Sequence, residues 1–322
     1  MNADSPACSG TPDARGAPRL PGRLKQGDLV GICAPASPVK EPYLSQGEAQ
    51  LASLGLRTRR ARHLTARGRY TAGTPAERAA DLASLASDPE VKAILCARGG
   101  YGSLELLELI PPELFERHPK IVMGASDLTA LLLHLVEHAG LVSFHGPMLA
   151  ADIAKGRADL AALMRLLGRP EAFGRVSAPA LRALAPGQAE GGLTGGCLSL
   201  VAALVGTPFA ARARGRILFL EDQAVKPYQI DRMLTQLRLA GALDGVAGIV
   251  FGEMPGCQQH PGQGYELDDV LRDLTSGLRV PVLAGLPSGH TESPAQALPL
   301  GVRARIATDP PSLVILEPAV AP

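Results

Sequence analysis

Ser126 lies where an apolar stretch changes into an apolar-periodic one, in VMGASDLTALLLHL (residues 122–135). This pattern predicts a strand, a tight turn and a helix, and such a turn exposes a small polar side chain at the edge of a sheet. Ser126 is therefore a candidate nucleophile, and the N–H of Asp127 would point to where an oxyanion forms. A serine at a helix start more commonly caps free N–H groups, so capping is the alternative for Ser126, and Asp127 also suits a helix N-terminus.

A glycine-rich segment, ARGGYGS (residues 97–103), follows a predicted buried strand. Gly99 and Gly100 leave their N–H groups open to a ligand, and Arg98 could bind a carboxylate through two parallel hydrogen bonds. The segment matches neither the G-x-x-x-x-G-K-S/T nor the G-x-G-x-x-G pattern of nucleotide-binding loops. An ordinary strand-to-helix turn is the alternative.

A nucleophilic serine needs a general base, and the base needs an acid that orients it. Among the seven histidines, His290 follows the predicted strand end GLPSG and is preferred on position, while His145, at the end of LVSFHGP, stays open. Glu221 and Asp222 end the predicted strand RILFLED. Neighbours on a strand point to opposite faces, so only one of the two can enter a shared cleft. Asp222 suits the start of the following helix, which leaves Glu221 as the orienting acid.

Composition and charge narrow the class of protein. The 322 residues carry 32 Lys and Arg against 31 Asp and Glu, a net charge of +1, and only 3% are aromatic, with no Trp. We therefore expect no nucleic-acid partner and no membrane partner. No apolar run approaches the ~18 residues of a membrane span. Cysteines that are widely spaced and lack a C-x-x-C pair predict neither a disulfide framework nor a metal site; they are Cys8, Cys33, Cys96, Cys197 and Cys257.

Strands alternate with helices from about residue 28 onward, which predicts an α/β fold with right-handed crossovers and a mainly parallel sheet flanked by helices. A smaller mixed α/β domain should follow it, with the site in the cleft between them. In that second domain GGLTGGCLSLVAALVGTP is interpreted as a glycine turn that enters a helix. The start of the chain is rich in Pro, Gly, Ser and Ala and has no secretory signal, so we expect a disordered lead and a cytoplasmic protein. The predicted divisions are a lead at 1–21, a nucleophile domain at 22–152, a linker at 153–189, and a domain with the acid and base at 190–322.

Several segments together resemble the LD-carboxypeptidases of murein recycling, a serine peptidase family that also contains microcin-immunity hydrolases. In chain order they are ARGGYGS, GASDLTALLLHL, FHGPM, LFLEDQAVKPYQIDRMLTQLRLAG and PSGHTESPAQALPLG. The likeness extends from about residue 26 to 317 and keeps the order of the family's motifs. The resemblance implies that Ser126 is the nucleophile, Glu221 the triad acid and His290 the general base. It implies an oxyanion hole at the N–H groups of Asp127 and of the Gly99-Gly100 turn, without a metal or cofactor. It further implies a cytoplasmic murein tetrapeptide as substrate, D-alanine as the leaving group, and a homodimer.

Two departures from the family pattern concern the cleft. Cys197 stands where the family usually carries Asn, and GHTESPAQALPLG is one residue longer than usual after His290. Two alternatives therefore stay open beside the carboxypeptidase. One is an immunity-type hydrolase of a peptidyl-adenylate-like antibiotic, and the other is a small-molecule binding protein that has lost catalysis.

Overall fold

Apolar runs in the first half of the chain form strands, and amphipathic segments between them form helices, in the computed structural model, which describes residues 17–322. The strands are β1 Leu29–Cys33, β2 Arg57–Arg60, β3 Val91–Cys96, β4 Ile121–Gly124 and β5 Ser143–His145. The helices are α1 Glu41–Ser53, α2 Pro75–Ser87, α3 Pro112–Arg117 and α4 Thr129–His138. β3, β4 and α4 lie where the hydrophobic pattern predicts two strands and a helix.

The second half alternates in the same way and ends in a run of strands. Its helices are α5 Leu160–Gly168, α6 Leu198–Ala203, α7 Pro227–Leu239 and α8 Leu267–Thr275. Its strands are β6 Gly174–Arg175, β7 Arg182–Ala185, β8 Gln188–Cys197, β9 Arg216–Glu221, β10 Gly248–Gly252, β11 Val282–Leu286, β12 Leu298–Leu300, β13 Arg303–Thr308 and β14 Pro311–Ile315. None of the helices within 17–322 has the length and apolar character that crossing a membrane requires.

Two sheets form from these strands. The first has the order β12-β5-β4-β3-β1-β2, in which β1 to β5 are parallel and β12 is antiparallel at the edge. The second has the order β6-β14-β13-β8-β9-β10-β11-β7, with β8 to β11 parallel and antiparallel pairs on both sides. A mostly parallel sheet flanked by helices, followed by a mixed one, confirms the predicted α/β fold class.

Local sequence explains why the elements of the first sheet form. β1 and β4 are buried along their whole length, which is why they read as continuous apolar runs rather than as alternating ones. α2 starts in a capping box, in which Thr74 accepts the N–H of Glu77 and Glu77 accepts the N–H of Thr74. Such reciprocal capping satisfies two donors that a helix start otherwise leaves free.

One prediction about the second half is wrong. The glycines of GGLTGG were interpreted as a turn, but residues 191–196 lie within β8, which runs directly into α6. Gly195 has φ +113°, and a Cβ there would collide with the carbonyl oxygen of Phe219 on β9. The glycines therefore serve the close approach of two strands, a role that their local sequence does not distinguish from a turn.

The later part of the predicted linker takes part in the second sheet. The segment 153–189 contains α5 and the two edge strands β6 and β7, and β8 begins at Gln188. In the other direction, β12 comes from the last part of the chain and pairs with β5 in the first sheet. Residues 1–16, most of the predicted lead, lie outside the described residues, and Arg19 exchanges backbone hydrogen bonds with Gly140 and Val142.

α4 connects the two hydrophobic cores. Every residue from Thr129 to Glu137 is buried, so the helix is covered on all sides. Leu131 and Leu132 belong to the core of the first sheet, whereas Leu133 belongs to the core that α6 and α7 form on the second. Burying a leucine contributes about 1.5–3 kcal/mol, so α4 is held firmly from both directions. The residues immediately before α4 are therefore held in place together with the helix.

Candidate active site

Ser126 directly precedes α4 in a strained turn. Its φ is +60°, a left-handed conformation that costs a residue with a side chain free energy and that concentrates at functional sites. Ser126–Leu128 form a single 3-10 turn, which we call the Ser126 turn, between β4 and α4. α4 begins three residues later at Thr129, with Leu128 as its N-cap residue, so the capping alternative does not describe Ser126.

The predicted glycine segment lies against the Ser126 turn. A Cβ on Gly99 would lie 2.8 Å from Cβ and 3.1 Å from Oγ of Ser126, which is closer than side chains tolerate. Gly100 has φ +114°, and a Cβ there would collide with Ser37, whose Oγ accepts the N–H of Tyr101 at 3.1 Å. Glycine at both positions therefore lets the 97–103 backbone approach the serine side chain.

Asp127 ties the Ser126 turn to the end of that glycine segment. Its carboxylate accepts the N–H of Ser103 at 2.8 Å, and its backbone carbonyl accepts the hydroxyl of Ser103. Burial raises the pKa of Asp127, and the hydrogen bonds from Ser103 partly offset this effect. The Asp127 side chain thus fixes the Ser126 turn. The backbone N–H of Asp127 is the first one after Ser126 in the chain. Arg98 is exposed and donates to the carbonyl of Pro38 at 3.3 Å, so its contact with a substrate stays a prediction.

Glu221 and His290 form a buried pair, which we call the acid–histidine pair. Glu221 is the last residue of β9, and His290 follows the turn after β11. Oε2 of Glu221 lies 2.7 Å from Nδ1 of His290 and accepts the backbone N–H of His290 at 2.9 Å. The Glu221 side chain is fully buried and that of His290 is 14% exposed. The base and the acid chosen from the sequence are therefore in direct contact.

Electrostatics favours the ionised carboxylate in this pair. Burial opposes the charge of Glu221, but the imidazoles of His145 and His290 outweigh it and lower the pKa of Glu221 to about 2. Burial likewise opposes charge on His290, yet the hydrogen bond and the charge of Glu221 raise the pKa of His290 above its ordinary 6.5. Both directions stabilise an imidazolium beside a carboxylate, which is the state that a general base reaches after taking a proton.

Two independent contacts connect the Ser126 turn to the acid–histidine pair. Thr129, at the start of α4, accepts the N–H of Cys197 at 2.9 Å, and Cys197 offers its Sγ within 4.8 Å of ligand atoms of both Glu221 and His290. In the first sheet, Gly124 is the register partner of His145, whose ring faces Glu221. The turn and the pair are thereby joined through short chains of contacts.

Among residues 17–322, Cys197, Glu221 and His290 have ligand atoms close enough together to hold a metal ion. A thiolate, an imidazole and a carboxylate are ligands that zinc accepts. Burial and the nearby charges of Glu221 and Asp222 raise the pKa of the Cys197 thiol, so the neutral thiol is its resting form. The neutral form favours packing over metal binding at this position.

Asp222 has a different partner from the one predicted. Its Oδ2 accepts the N–H of Ser199 at 2.9 Å and the Ser199 hydroxyl at 2.6 Å, so it stabilises the start of α6 rather than that of α7. The two neighbouring acids thus have different partners, His290 for Glu221 and Ser199 for Asp222. The partner of Asp222 lies on a helix that is distant in the sequence, and no local pattern could indicate it.

Sequence reasoning missed Glu253, which holds the segment after His290. Its Oε2 accepts the N–H groups of Glu292 at 2.9 Å and of Ser293 at 3.2 Å, together with the hydroxyl of Thr291. Glu253 directly follows β10, so its position at the carboxyl end of a parallel strand was the available signal. The longer segment after His290 is therefore anchored through this carboxylate.

A carboxylate-held imidazole, joined to a strained serine turn through short chains of contacts, provides the groups of a hydrolytic enzyme. Residues 30–146 match the LD-carboxypeptidase N-terminal domain, and residues 190–306 match the LD-carboxypeptidase C-terminal domain. The chain belongs to the LD-carboxypeptidase family. Over 301 residues it is 40% identical to a probable murein peptide carboxypeptidase of Bacillus subtilis (strain 168), in a match that covers 92% of this chain and 93% of the relative.

Solved structures agree with the sequence match. The muramoyltetrapeptide carboxypeptidase of Oxalobacter formigenes has a TM-score of 0.80 at 30% identity, over 90% of this chain and 99% of that chain. The microcin C7 self-immunity protein MccF, known from Escherichia coli, has a TM-score of 0.88 at 25% identity in its wild-type apo state, over 94% of this chain and 100% of that chain. Both branches that the resemblance implied are thus represented among proteins similar to this one.

Proposed function

We propose that the protein is a serine-type LD-carboxypeptidase that hydrolyses the L,D-amide bond of murein tetrapeptide and releases its terminal D-alanine. The acid–histidine pair, joined by short contacts to the Ser126 turn, is the observation that carries this proposal. Names of similar proteins support the substrate, since one is a probable murein peptide carboxypeptidase and another a muramoyltetrapeptide carboxypeptidase.

In the proposed first step, Nε2 of His290 takes the hydroxyl proton of Ser126 while Oγ attacks the amide carbonyl carbon. Glu221 holds Nδ1 of the ring, which fixes its tautomer and stabilises the imidazolium. Backbone N–H groups of Asp127 and of the Gly99-Gly100 turn hold the oxyanion, and each such donor lowers the barrier by about 3–4 kcal/mol. His290 then protonates the departing amine, and an acyl-enzyme remains.

The second step consumes water. His290 takes a proton from a water molecule, whose oxygen attacks the acyl carbonyl, and the Ser126 hydroxyl is restored with the same proton. No metal or cofactor enters either step. We assign Arg98 the role of recognising a peptide carboxylate, because its guanidinium lies in the exposed glycine segment next to the nucleophile.

A direct assay tests the reaction. Purified full-length protein is incubated with murein tetrapeptide, and free D-alanine is scored with a D-amino acid oxidase. We expect Ser126→Ala to lower kcat by about 10³-fold or more and to remove fluorophosphonate labelling, with an unchanged melting temperature. The exposed helix residue Ser84 offers the matched control Ser84→Ala, which should behave as wild type. Labelling and D-alanine release that survive Ser126→Ala would refute the nucleophile assignment.

A microcin-immunity activity is the second candidate, favoured by the TM-score of 0.88 to MccF. MccF has been captured with aspartyl sulfamoyl adenosine, which makes this compound a usable probe. The carboxypeptidase proposal predicts that tetrapeptide is turned over and that this nucleoside does not compete with it. Competition by the nucleoside without D-alanine release favours the immunity reaction, and tetrapeptide binding without labelling or turnover favours a non-catalytic binding protein.

We also propose that the protein acts in the cytoplasm as a homodimer. The family resemblance supports both statements, since murein peptides are recycled inside the cell in that family. Light scattering of the purified protein should give twice the mass of 33.4 kDa. A monomer at assay concentration would contradict the dimer without affecting the proposed chemistry.

A further inference from the structure

Two buried polar atoms next to the proposed site face one another, and neither has another hydrogen-bond partner within residues 17–322. They are Nε2 of His145 and Oε1 of Glu221, which are 3.6 Å apart. Both side chains are 0% exposed, so bulk solvent does not reach either atom. Buried polar atoms are nearly always hydrogen-bonded, and here the separation exceeds a hydrogen bond by only a few tenths of an ångström.

The other ring nitrogen of His145 indicates which atom carries the proton. Nδ1 lies 3.5 Å from Oγ of Ser288, a residue that is also fully buried. Because an ionised carboxylate only accepts, Nε2 must be the donor toward Glu221. In a neutral ring Nδ1 then accepts from the Ser288 hydroxyl. The contacts form one line from Ser288 through His145 and Glu221 to His290.

Packing holds His145 against Glu221. A Cβ on Gly289, where φ is +73°, would lie 2.5 Å from Cδ of Glu221 and 2.7 Å from Cε1 of His145. The ring of His145 also packs edge-on against Phe219, with ring centroids 5.3 Å apart. Its backbone is fixed between β4 and β12, where it pairs with Gly124 and with Leu298. The imidazole therefore has little freedom to leave the carboxylate.

We propose that His145 is a positioning residue that binds the second oxygen of Glu221, so that the first stays aligned with Nδ1 of His290. The inference rests on the proposed function, in which His290 is the base. Glu221 would otherwise have a buried oxygen without a donor and could turn its carboxylate away from His290. His145 itself is inaccessible to substrate and acts only through Glu221.

Other charged groups near the pair do not replace this contact. Glu221 is faced by His145, His290 and the thiol of Cys197. Asp222 and Asp152 add negative charge felt by His290. None of these groups besides the two histidines donates a proton to the carboxylate of Glu221. Substitution of His145 should therefore change the interaction between Glu221 and His290 directly.

Two substitutions of His145 distinguish the loss of its N–H donor from the loss of its imidazole ring. His145→Gln keeps an N–H near the Nε2 position, whereas His145→Leu fills the space without a donor. We expect His145→Leu to lower kcat about 10- to 100-fold with little change in KM. The titration midpoint of His290, followed by NMR on protein with labelled histidine, should also fall, because a misaligned carboxylate stabilises the imidazolium less. His145→Gln should restore most of both. His134→Gln is the matched control, since His134 is buried and bonded to the carbonyl of Ile110.

The NMR titration needs no substrate, which keeps this inference distinct from the proposed function. If no peptide is turned over but the His290 midpoint falls in His145→Leu, the proposed function fails and the positioning role stands. An unchanged midpoint in a folded His145→Leu protein would overturn the positioning role. If His145→Leu does not fold, His145→Gln decides: a wild-type midpoint supports the role, and a midpoint lowered as far as in Glu221→Gln overturns it.

Discussion

Glu221 holds His290 twice through one oxygen, at 2.7 Å to the ring nitrogen Nδ1 and at 2.9 Å to the backbone N–H. Both the backbone and the ring of His290 are thereby oriented by a single carboxylate. A similar arrangement occurs in the first half of the chain, where Asp81 of α2 accepts the N–H of His63 at 3.0 Å and lies 2.9 Å from its Nδ1. A carboxylate bonded to a histidine is therefore not, by itself, evidence of catalysis. What distinguishes Glu221 and His290 is their link, through Cys197 and Thr129, to the strained Ser126 turn.

The second pair, Asp81 and His63, supplies a matched control for the proposed triad acid, Glu221. Glu221→Gln removes the charge that stabilises the imidazolium, and we expect kcat on murein tetrapeptide to fall by about 10²–10⁴-fold. Asp81→Asn makes the equivalent change at the other pair and should leave kcat within about twofold, since it touches no group of the proposed mechanism. Steady-state kinetics of both variants, with melting temperatures, tests this. Equal losses in the two variants would point to a structural role for both carboxylates.

Activity should rise with pH through the titration of His290. The base must be neutral to accept a proton, and Glu221 raises the pKa of His290 above 6.5. The rising limb of the pH profile of kcat/KM should therefore have its midpoint above pH 6.5. In Glu221→Gln the limb should move to lower pH, because the stabilising charge is gone. Initial rates between pH 5 and 9 measure both limbs. A wild-type limb below pH 6.5 would contradict the charge coupling, and an unmoved limb in the variant would do the same.

Gly99 should be intolerant of even a methyl group. A Cβ there would lie 2.8 Å from Cβ of Ser126, so Gly99→Ala must displace either the serine or the glycine turn. We expect kcat to fall by about 10²-fold, because small displacements at a reacting centre have effects of that size. Gly277→Ala is the control, since a Cβ at that exposed position meets nothing within 4 Å. Full activity of Gly99→Ala would mean that this turn does not shape the site.

Chelation tests the metal-free mechanism. Cys197, Glu221 and His290 could together bind zinc, but the proposed steps use Glu221 and His290 as an acid–base unit. Dialysis against EDTA should therefore leave kcat unchanged. Elemental analysis of the active protein should find far less than one zinc per chain. Activity lost on chelation and restored by zinc, in wild type but not in Cys197→Ser, would replace the serine mechanism with a metal-dependent one.

Much of the fold was predictable because its causes are local. The apolar run before Ser126 and the periodic one after it predicted β4 and α4. Glycines were harder to interpret. The GGLTGG segment looked like a turn, yet Gly195 allows β8 to lie close to β9, and that requirement comes from the neighbouring strand.

The candidate site was predictable only in part. Position favoured His290, the family resemblance raised it above His145, and the structure then brought both rings to the same carboxylate. Asp222 shows the same limit, because its partner is Ser199 on α6 and not the helix that follows it in sequence. Partners far apart along the chain cannot be read from local spacing.

From its sequence alone, this protein was determined to be an α/β chain with a serine at a strand-to-helix turn and acids and histidines at strand ends. These features follow from side-chain periodicity and turn chemistry, which act over a few residues. Only the tertiary structure decided that Glu221 bonds to His290 and faces His145, and that Gly99 lies against Ser126. Those contacts depend on how two sheets pack around α4, and packing brings together residues that the chain itself keeps apart.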